Sequence, residues 1–378
     1  MRGKSILFVH EIPIKEVKAN LIQTLNMCFA FSKIEVKTKL LILTSISIDE
    51  AKDTIEHIIP SYQNYFEIEF IPYQPTRNYF SSGDRFKVLK NHIDLSFDYI
   101  FTRSPLVSLY VTRKGKHLIY ESHNAYFTKN KVLNRYYTYK FKRLTKKPSF
   151  KLFLTISDNL KHFWNDQGIP SPKLLGLHDG TSAHGEIVAP PEPYPFDKND
   201  RLKVTYTGSL YEDRGLRRIL NLAADFPQLD FVIVGGPEKN AIAYREEAKQ
   251  SQLHNIVFTG YTPHKYIPYY LEHSDILLAL WSKSVPTINY CSPLKVFEYM
   301  YANKLIVADG FITIKEVLKN NENAILCEPD NYESLKNAIA KVTEDKALLE
   351  LGSNNRDEVI ANYSWSRRVD KIVDFFNS

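Results

Sequence analysis

The stretch "SPLKVFEYMYANKLIVADG", residues 292–310, contains a helix pattern and a strand pattern in direct succession. Ser292 is a natural N-cap and Pro293 suits the first helical position, so a helix is predicted to begin there. The apolar run "KLIVADG" (304–310) then predicts a buried strand that ends at Gly310. A helix that leads into a buried strand is the repeating unit of α/β proteins.

The same alternation extends in both directions from this stretch. Short, mostly continuous apolar runs predict strands that are covered on both faces, as in parallel sheets. Between two of them, Leu216, Ile219, Leu220 and Ala223 fall on one face of a helix. The predicted strands are 5–11, 39–45, 68–73, 98–103, 117–123, 152–158 and 174–179, then 202–208, 229–236, 255–260, 274–281, 304–310 and 323–328.

A proline-rich segment, "APPEPYPFDKND" (189–200), interrupts this rhythm. Proline lacks the N–H that a strand or helix interior requires, so the segment is predicted to be a stiff linker. The length of 378 residues also favours two domains. We therefore predict two doubly wound α/β domains, 1–190 and 201–360, joined by a hinge at 191–200. The last helical pattern, within 361–378, has no strand after it and is free to pack back on the first domain.

The composition is that of an ordinary globular protein, with 44% hydrophobic and 24% charged residues. The three cysteines, Cys28, Cys291 and Cys327, are widely spaced and form no CxxC pattern, which fits a reducing cytoplasm. The N-terminal apolar run is too short for a signal peptide. No apolar window approaches the roughly 18 residues of a membrane span. The sequence therefore predicts a cytoplasmic protein.

Glycine follows four of the predicted strands of the second half, at the positions where doubly wound sheets bind ligands. Each glycine alone is typical of a simple turn. Several glycines at one edge of one sheet favour a ligand site, because glycine allows a close approach to the backbone. The strand ends read Gly208-Ser209, Gly235-Gly236, Gly260-Tyr261 and Asp309-Gly310.

Lys295 and Glu298 lie one turn apart at the start of the predicted helix. Amides at a helix N-terminus can hold a phosphate, and Lys295 adds positive charge there although a cation opposes the helix dipole. Glu298, on the same face, is placed to accept hydrogen bonds from the two hydroxyls of a ribose. The alternative is an ordinary i,i+3 ion pair on the surface, and the residues leave both interpretations open.

A second cation, Arg214, precedes Gly215 in the loop after the predicted strand 202–208. A guanidinium there can clamp a diphosphate, and the alternative is a solvated arginine at a helix start. No GxGxxG follows the first strand of either half and no GxxxxGK[ST] motif occurs, which weakens the dinucleotide and P-loop interpretations. No convincing catalytic triad or metal cluster occurs either, so neither a metal nor another cofactor is predicted.

Together these segments resemble the glycosyltransferases of family 4, which are retaining enzymes that use nucleotide sugars. The resemblance implies the GT-B fold, in which two Rossmann-like domains face each other across a cleft. It also implies transfer of a sugar from a nucleoside-diphosphate sugar, for which UDP is the default guess. The motifs are "VTYTGSLYEDRGL", "FVIVGG", "IVFTGYTPHKYIPYYLEHSDILLAL" and "SPLKVFEYMYANKLIVADGFITIKEVL", with "HLIYESHN", "LTISDNL" and "LHDG" in the first half.

The resemblance also implies roles for individual residues. Glu298 matches the second glutamate of the family's E-x7-E signature, which holds the donor ribose, but Tyr290 replaces the first. Arg214 matches a lysine of the diphosphate site, whereas Ser209 replaces a second basic residue. His123 matches a histidine that faces the transferred sugar. The implied donor-binding residues are Gly208, Ser209, Gly236, Tyr261, Tyr290, Cys291, Ser292, Leu294 and Glu298, and the implied catalytic residues are Arg214, Lys295 and His123.

The implied mechanism needs no nucleophile from the enzyme, because the departing diphosphate takes the proton of the acceptor hydroxyl. Arg214, Lys295 and backbone amides stabilise the developing diphosphate charge in place of Mg²⁺. Two alternatives remain open. One is a GT-B epimerase, although no acid–base set is evident at Tyr290, and the other is a module that binds a sugar nucleotide without transferring it. A phosphorylase is expected to carry a pyridoxal-phosphate lysine in a much longer chain.

A cationic segment lies in the first half, where residues 101–150 contain 12 Lys/Arg and a single acid, Glu121. Within 126–151 the cations alternate with aromatic residues. This pattern favours docking to an anionic membrane, on the inner face of the cell membrane, over nucleic-acid binding. The remaining alternative is a charged helix that is simply exposed to solvent. Docking suits a glycan or lipid-linked acceptor in surface polysaccharide synthesis. The predicted patch is Lys129, Lys131, Arg135, Lys140, Lys142 and Arg143.

Overall fold

The computed structural model describes residues 1–74, 82–182, 187–196 and 199–377. They form two compact units, here called unit 1 (Met1–Asp179 with Trp365–Ser378) and unit 2 (Gly180–Ser364). The proline-rich segment predicted as a hinge belongs to unit 2, and its residues 197 and 198 lie outside the described part. Its role as a hinge stays a prediction.

Unit 1 is built on a parallel sheet in the order β3-β2-β1-β4-β5-β6-β7. The strands are β1 (Ser5–Ile14), β2 (Lys37–Thr44), β3 (Glu67–Pro72), β4 (Tyr99–Thr102), β5 (His117–Ser122), β6 (Phe150–Thr155) and β7 (Leu174–Gly176). The helices are α1 (Ala19–Lys33), α2 (Ile48–Glu56), α3 (Ser82–Leu89), α4 (Pro105–Arg113), α5 (Lys131–Leu144) and α6 (Asp158–Asp166). The C-terminal helix, Trp365–Asn377, packs against α1.

Unit 2 has a second parallel sheet, in the order β10-β9-β8-β11-β12-β13. Its strands are β8 (Lys203–Thr207), β9 (Asp230–Val234), β10 (Ile256–Gly260), β11 (Ile276–Ala279), β12 (Leu305–Asp309) and β13 (Ile325–Cys327). Its helices are α7 (Leu216–Asp225), α8 (Glu238–Gln250), α9 (Ile267–Glu272), α10 (Leu294–Ala302), α11 (Ile312–Lys315), α12 (Tyr332–Glu344) and α13 (Asn355–Tyr363), so the C-terminal helix of unit 1 is α14.

Both faces of the unit 2 sheet are buried, which explains the continuous apolar runs in the sequence. In β9, Phe231 and Ile233 enter the core on one face, while Val232 and Val234 enter a separate cluster on the other. The predicted helix face is also confirmed, since Leu216 and its three partners in α7 are buried in the same core. Each predicted strand is present, which confirms a fold of two Rossmann-like α/β units.

Each sheet has one point at which the strand order reverses, between β1 and β4 in unit 1 and between β8 and β11 in unit 2. Loops from neighbouring strands leave in opposite directions there, and the resulting crevice at the carboxyl ends is the usual ligand site of such sheets. These two points are where functional side chains are expected.

None of the helices in the described residues has the length and apolar character that crossing a membrane requires.

Candidate functional site

Helix α10, which carries Lys295 and Glu298, begins at Leu294. Pro293 has an extended backbone (ψ 119°) and occupies the N-cap position without a side-chain cap. The prediction that Ser292 caps the helix with Pro293 as its first residue is therefore wrong by one position. The extended backbone of Pro293 keeps it outside the helix, and Ser292 is buried one residue further from the helix start.

Tyr299 connects α10 to the sheet by hydrogen bonds at the point where the strand order reverses. Its hydroxyl accepts a hydrogen bond from the Thr207 N–H at 2.8 Å and donates to the Leu278 carbonyl at 3.4 Å. Thr207 ends β8 and Leu278 belongs to β11. The helix is thus held against the two strands between which a ligand site is expected.

The Nζ of Lys295 is buried and has no hydrogen-bond partner among the described residues. It lies 3.8 Å from the ring centre of Tyr206 and 5.5 Å from that of Trp281. A Cβ placed on Gly208 would lie 3.1 Å from it. The surface-pair interpretation of Lys295 and Glu298 is therefore wrong, because the ammonium is turned inward onto aromatic faces. A buried donor without an acceptor marks a place for an anion.

Arg214 lies at the end of the 3-10 turn Glu212–Arg214 that follows β8, and its Nε is 3.6 Å from Asp213 Oδ1. Burial and, to a smaller extent, the charge of Arg214 lower the pKa of Lys295 to about 7, although Glu298 opposes both. The structure thus brings the two predicted cations into one electrostatic environment. An anion bound beside them would relieve the unfavourable charge on Lys295.

The glycine turns at the ends of β8, β9 and β10 pack against one another. The Gly208 N–H donates to the Val234 carbonyl at 2.9 Å, and the Gly235 N–H donates to the Gly260 carbonyl at 3.0 Å. A Cβ on Gly235 would lie 1.9 Å from the Gly208 carbonyl oxygen, so no other residue fits this turn. The predicted glycine edge is therefore a close-packed backbone surface next to Lys295.

The other predicted donor-binding residues differ in exposure and in their contacts. Tyr261 is exposed, and its Cβ lies 3.5 Å from the Cβ position of Gly236. Ser209 uses its carbonyl to accept from the Tyr206 hydroxyl at 2.9 Å. The N–H groups of Tyr290 and Cys291 both donate to the Thr287 carbonyl, so the predicted amide of Cys291 is engaged within its own turn.

Glu298 has a partner that the sequence analysis missed. The Nε2 of His264 lies 2.9 Å from Glu298 Oε1. Burial alone would lower the pKa of His264, but the hydrogen bond and charge of Glu298 raise it above its usual value. The pair stabilises unit 2 fully below the usual pKa of histidine, and this contribution is lost as the pH rises through the raised pKa. The two residues are 34 positions apart, and no local pattern connects them.

Replacing Glu298 with glutamine is expected to lower the pKa of His264 below its usual value. The variant keeps the burial of the imidazole but removes the charge that compensates for it. Titration of the His264 ring protons by NMR measures the change. The matched control is Glu272→Gln, since Glu272 is exposed and lines the same groove of unit 2 as Glu298. An unchanged His264 titration in Glu298→Gln would contradict the pairing.

A buried ion pair beneath the site was also missed. Arg218 of α7 donates to both carboxylate oxygens of Asp309 at 2.8 and 2.7 Å, and to the Trp281 carbonyl at 2.9 Å. Asp309 in turn accepts from the Trp281 N–H at 2.7 Å. The pair therefore fixes the backbone of Trp281, whose ring lies near Lys295. In the sequence, Arg218 is one of several cations of an amphipathic helix, and no local pattern indicates that it is the buried one.

His123, the predicted catalytic residue of unit 1, follows β5 and lies in a buried charge network. Its Nε2 is 2.9 Å from Glu121 Oε2, and Glu121 also accepts from Arg103 at 2.7 Å and from Arg368 of α14 at 3.0 Å. Burial, together with the charge of Arg103, lowers the pKa of His123 to about 4 in spite of Glu121. The imidazole is therefore neutral at physiological pH. Its contact with the transferred sugar stays a prediction.

Residues 194–361 match the family model described as glycosyl transferases group 1. An uncharacterized glycosyltransferase of Methanocaldococcus jannaschii is 24% identical over 345 residues, which cover 85% of each chain. The UDP-Gal:alpha-D-GlcNAc-diphosphoundecaprenol alpha-1,3-galactosyltransferase of Escherichia coli is 26% identical over 151 residues, 40% of this chain and 37% of that protein.

A solved structure, Anabaena HepE in complex with UDP and glucose, matches all of both chains with a TM-score of 0.70 and 15% sequence identity. At that identity the likeness concerns the fold. The family match spans β8 to β13, and so includes the glycine edge and α10, which carries Lys295. The chain accordingly has the GT-B fold, and its residues 194–361 are similar to glycosyl transferases group 1.

Proposed function

We propose that this chain is a retaining glycosyltransferase of family 4 that moves a sugar from a nucleoside-diphosphate sugar to a glycan or lipid-linked acceptor in surface polysaccharide synthesis. The observation that carries the proposal is the buried Nζ of Lys295, which has no hydrogen-bond partner in the described part of the chain and lies at the reversal point of the unit 2 sheet. A desolvated ammonium without an acceptor is unfavourable unless an anion binds it. The diphosphate of a sugar donor supplies such an anion.

The charges of unit 2 suit a diphosphate leaving group. Arg214 and Lys295 would stabilise the charge that develops on the diphosphate as the sugar departs, without a bound metal. Gly208 leaves room for the phosphate oxygens next to Lys295. Glu298 would accept hydrogen bonds from the ribose hydroxyls, and Tyr261 would lie against the base. UDP as the nucleotide is supported by the E. coli galactosyltransferase, whose name gives UDP-Gal as the donor, and by HepE, whose structure contains UDP.

The reaction follows from these charges. The bond between the sugar and the diphosphate breaks, and the acceptor hydroxyl attacks from the same face. The diphosphate oxygen that leaves takes the proton of that hydroxyl, so no base from the enzyme is required. The name of the E. coli relative, whose acceptor is a diphosphoundecaprenol, supports a lipid-linked acceptor.

The configuration of the product tests this proposal. The chain is first screened by thermal shift with UDP, GDP and ADP, and UDP is expected to raise the melting temperature most. UDP-glucose, UDP-galactose and UDP-N-acetylglucosamine are then incubated with the chain in EDTA, and the released or transferred sugar is expected to be the α-anomer by proton NMR. The β-anomer would refute retention, and nucleotide binding without any turnover would favour the binding module.

The cationic patch lies on α5 and the turn before it. Among the described residues, Val132, Leu133, Tyr136 and Tyr139 of this helix are exposed, next to the cations. The Nζ of Lys140 lies 5.3 Å from the ring centre of Tyr136. Tyr137, Phe141 and Leu144 form the buried face of the helix. An exposed face that combines aromatic and cationic side chains suits the headgroup region of an anionic membrane, so we propose that α5 docks there.

Vesicle binding is expected to depend on salt and on lipid charge. The chain should float with vesicles that contain 30% phosphatidylglycerol at low salt and dissociate at high salt, because screening weakens the attraction. The triple variant Lys131→Gln, Arg135→Gln and Arg143→Gln should lose this binding. The matched control replaces Lys239, Lys249 and Lys346, exposed lysines of unit 2, with glutamine and should bind normally. Equal flotation with neutral vesicles would contradict the proposal.

A further inference from the structure

The carboxyl ends of the unit 1 strands border a cavity of about 300 Å³. It lies at the reversal point between β1 and β4, the counterpart of the Lys295 position in unit 2. Its polar lining includes His10, Glu11, Arg103, Glu121 and His123, and Tyr126 and Phe127 supply aromatic surface. The volume is at the small end of the range of small-molecule sites.

Most charged groups in this cavity are paired within unit 1. Glu121 is fully buried and bonded to Arg103, Arg368 and His123. Burial alone would raise the pKa of Glu121, but Arg103 and Arg368 hold it well below its usual range. Burial lowers the pKa of His10 to about 3, and its Nδ1 lies 3.1 Å from Thr24 Oγ1. These groups are held by the protein itself.

Glu11 differs from the rest of the lining. It follows His10 in β1, and its buried Oε2 has no hydrogen-bond partner among the described residues. The guanidinium of Arg85 lies 3.9 Å from the other carboxylate oxygen of Glu11, Oε1. Burial raises the pKa of Glu11 although Ser104 and Arg85 oppose the rise. A buried carboxylate oxygen without a donor is costly for the fold, which points to a ligand that supplies the donor.

We propose that Glu11 binds a hydroxyl group of a neutral acceptor sugar in this cavity. The inference rests on the proposed function and names the chemical class of the acceptor group that enters unit 1. The hydroxyl donates its proton to Glu11 Oε2 in a charge-assisted hydrogen bond. Tyr126 and Phe127 offer apolar surface for the C–H face of a sugar ring.

The charges around Glu11 exclude phosphate and ammonium groups as its ligands. A phosphate would meet the carboxylate of Glu11, and the repulsion would be strong in a buried site. An ammonium group would meet Arg85 and Arg103, whose guanidinium groups are permanently charged. A hydroxyl carries no net charge and can both donate and accept hydrogen bonds. The diphosphate of a lipid-linked acceptor therefore binds outside this cavity, and only its sugar enters.

The test uses the full-length chain and saturation-transfer NMR with methyl glycosides of glucose, galactose and N-acetylglucosamine. At least one glycoside is expected to bind, and Glu11→Gln should raise its Kd about tenfold or more, because a charge-assisted bond is lost. Glu11→Ala serves as the second variant. Since no described residue donates to Oε2, Glu11→Gln should not lower the melting temperature. The matched control is Glu16→Gln, an exposed glutamate on the same segment, and should bind normally.

Glucose 1-phosphate and glucosamine provide the charged comparisons and should bind more weakly than the neutral glycosides. Binding of UDP, followed by thermal shift, should be unchanged in Glu11→Gln. The chain could bind a glycoside through Glu11 and yet show no transferase activity. That result would refute the proposed function but would support the role of Glu11 in sugar binding. The inference is overturned if no neutral glycoside binds the wild type, if Glu11→Gln binds normally, or if glucose 1-phosphate binds best.

Discussion

Replacing Lys295 with methionine is expected to stabilise the free protein and to abolish transfer. The buried ammonium lies on Tyr206 and Trp281, and no described residue forms a hydrogen bond with it; its pKa is lowered to about 7, mainly by burial. Methionine has a similar length and packs well against aromatic rings. Removal of such a charge should raise the free energy of unfolding by about 1–4 kcal/mol. Each kcal/mol corresponds to a rise of about 2–4 °C in the melting temperature. Turnover should fall about 100- to 1,000-fold.

Differential scanning fluorimetry with and without UDP, combined with a transfer assay, measures both effects. Lys283→Met is the control, because Lys283 is an exposed lysine two residues after Trp281. It should change neither stability nor turnover. A Lys295→Met variant that melts earlier would contradict the cost assigned to the buried ammonium, and one that retains full activity would show that the ammonium is not the anion-binding group.

Proton uptake provides an independent measurement of the same lysine. Above pH 7 the free protein increasingly holds Lys295 as the neutral amine, because its pKa is about 7. A bound diphosphate raises that pKa, so UDP binding should take up protons at pH 8 and should weaken as the pH rises. Calorimetry in two buffers with different ionisation enthalpies detects the uptake. It should vanish in Lys295→Met.

Replacing Arg218 with methionine is expected to destabilise the protein by about 3–5 kcal/mol. The change leaves the carboxylate of Asp309, which is fully buried, without the two charge-assisted hydrogen bonds from Arg218. It also releases the Trp281 carbonyl. Urea denaturation followed by circular dichroism gives the change in the free energy of unfolding.

The neighbouring residue provides a matched control for this prediction. Arg217 carries the same charge on the same helix but is largely exposed and pairs with Glu247 at 2.8 Å. Arg217→Met should cost about 0–1 kcal/mol, as for most surface ion pairs. The double variant Arg218→Met with Asp309→Leu should recover much of the loss, since no charge remains buried. Equal costs for Arg217→Met and Arg218→Met would contradict the assigned burial.

The positions of the strands were predictable from the sequence because each strand is a local, continuous apolar run. The residues Phe231 to Val234 are all buried, on one face of the sheet or the other. A strand that is buried on both faces is apolar at every position, which is why the run is continuous in the sequence. The glycine edge was predictable for a similar reason. Gly235 adopts φ +138° next to the Gly208 carbonyl, a conformation and contact that only glycine allows.

The surroundings of the functional side chains were not predictable in the same way. The sequence places Glu298 three residues from Lys295 and so suggests an ion pair, but the structure assigns each a distant partner. Tyr206 lies under Lys295, and His264 pairs with Glu298. The N-cap was misplaced by one residue because the backbone of Pro293 is extended.

Local chemistry therefore decided which segments become strands, where the chain turns through glycine, and which cations lie near the starts of helices in unit 2. The fold alone decided which of those cations is desolvated, and with it the pKa of Lys295, because desolvation depends on atoms far away in the chain. Arg218 and Asp309 are 91 positions apart, yet their contact holds the backbone of Trp281, and no periodicity encodes such a distance. The energy of a buried charge depends on everything packed around it, and only the folded chain specifies that packing.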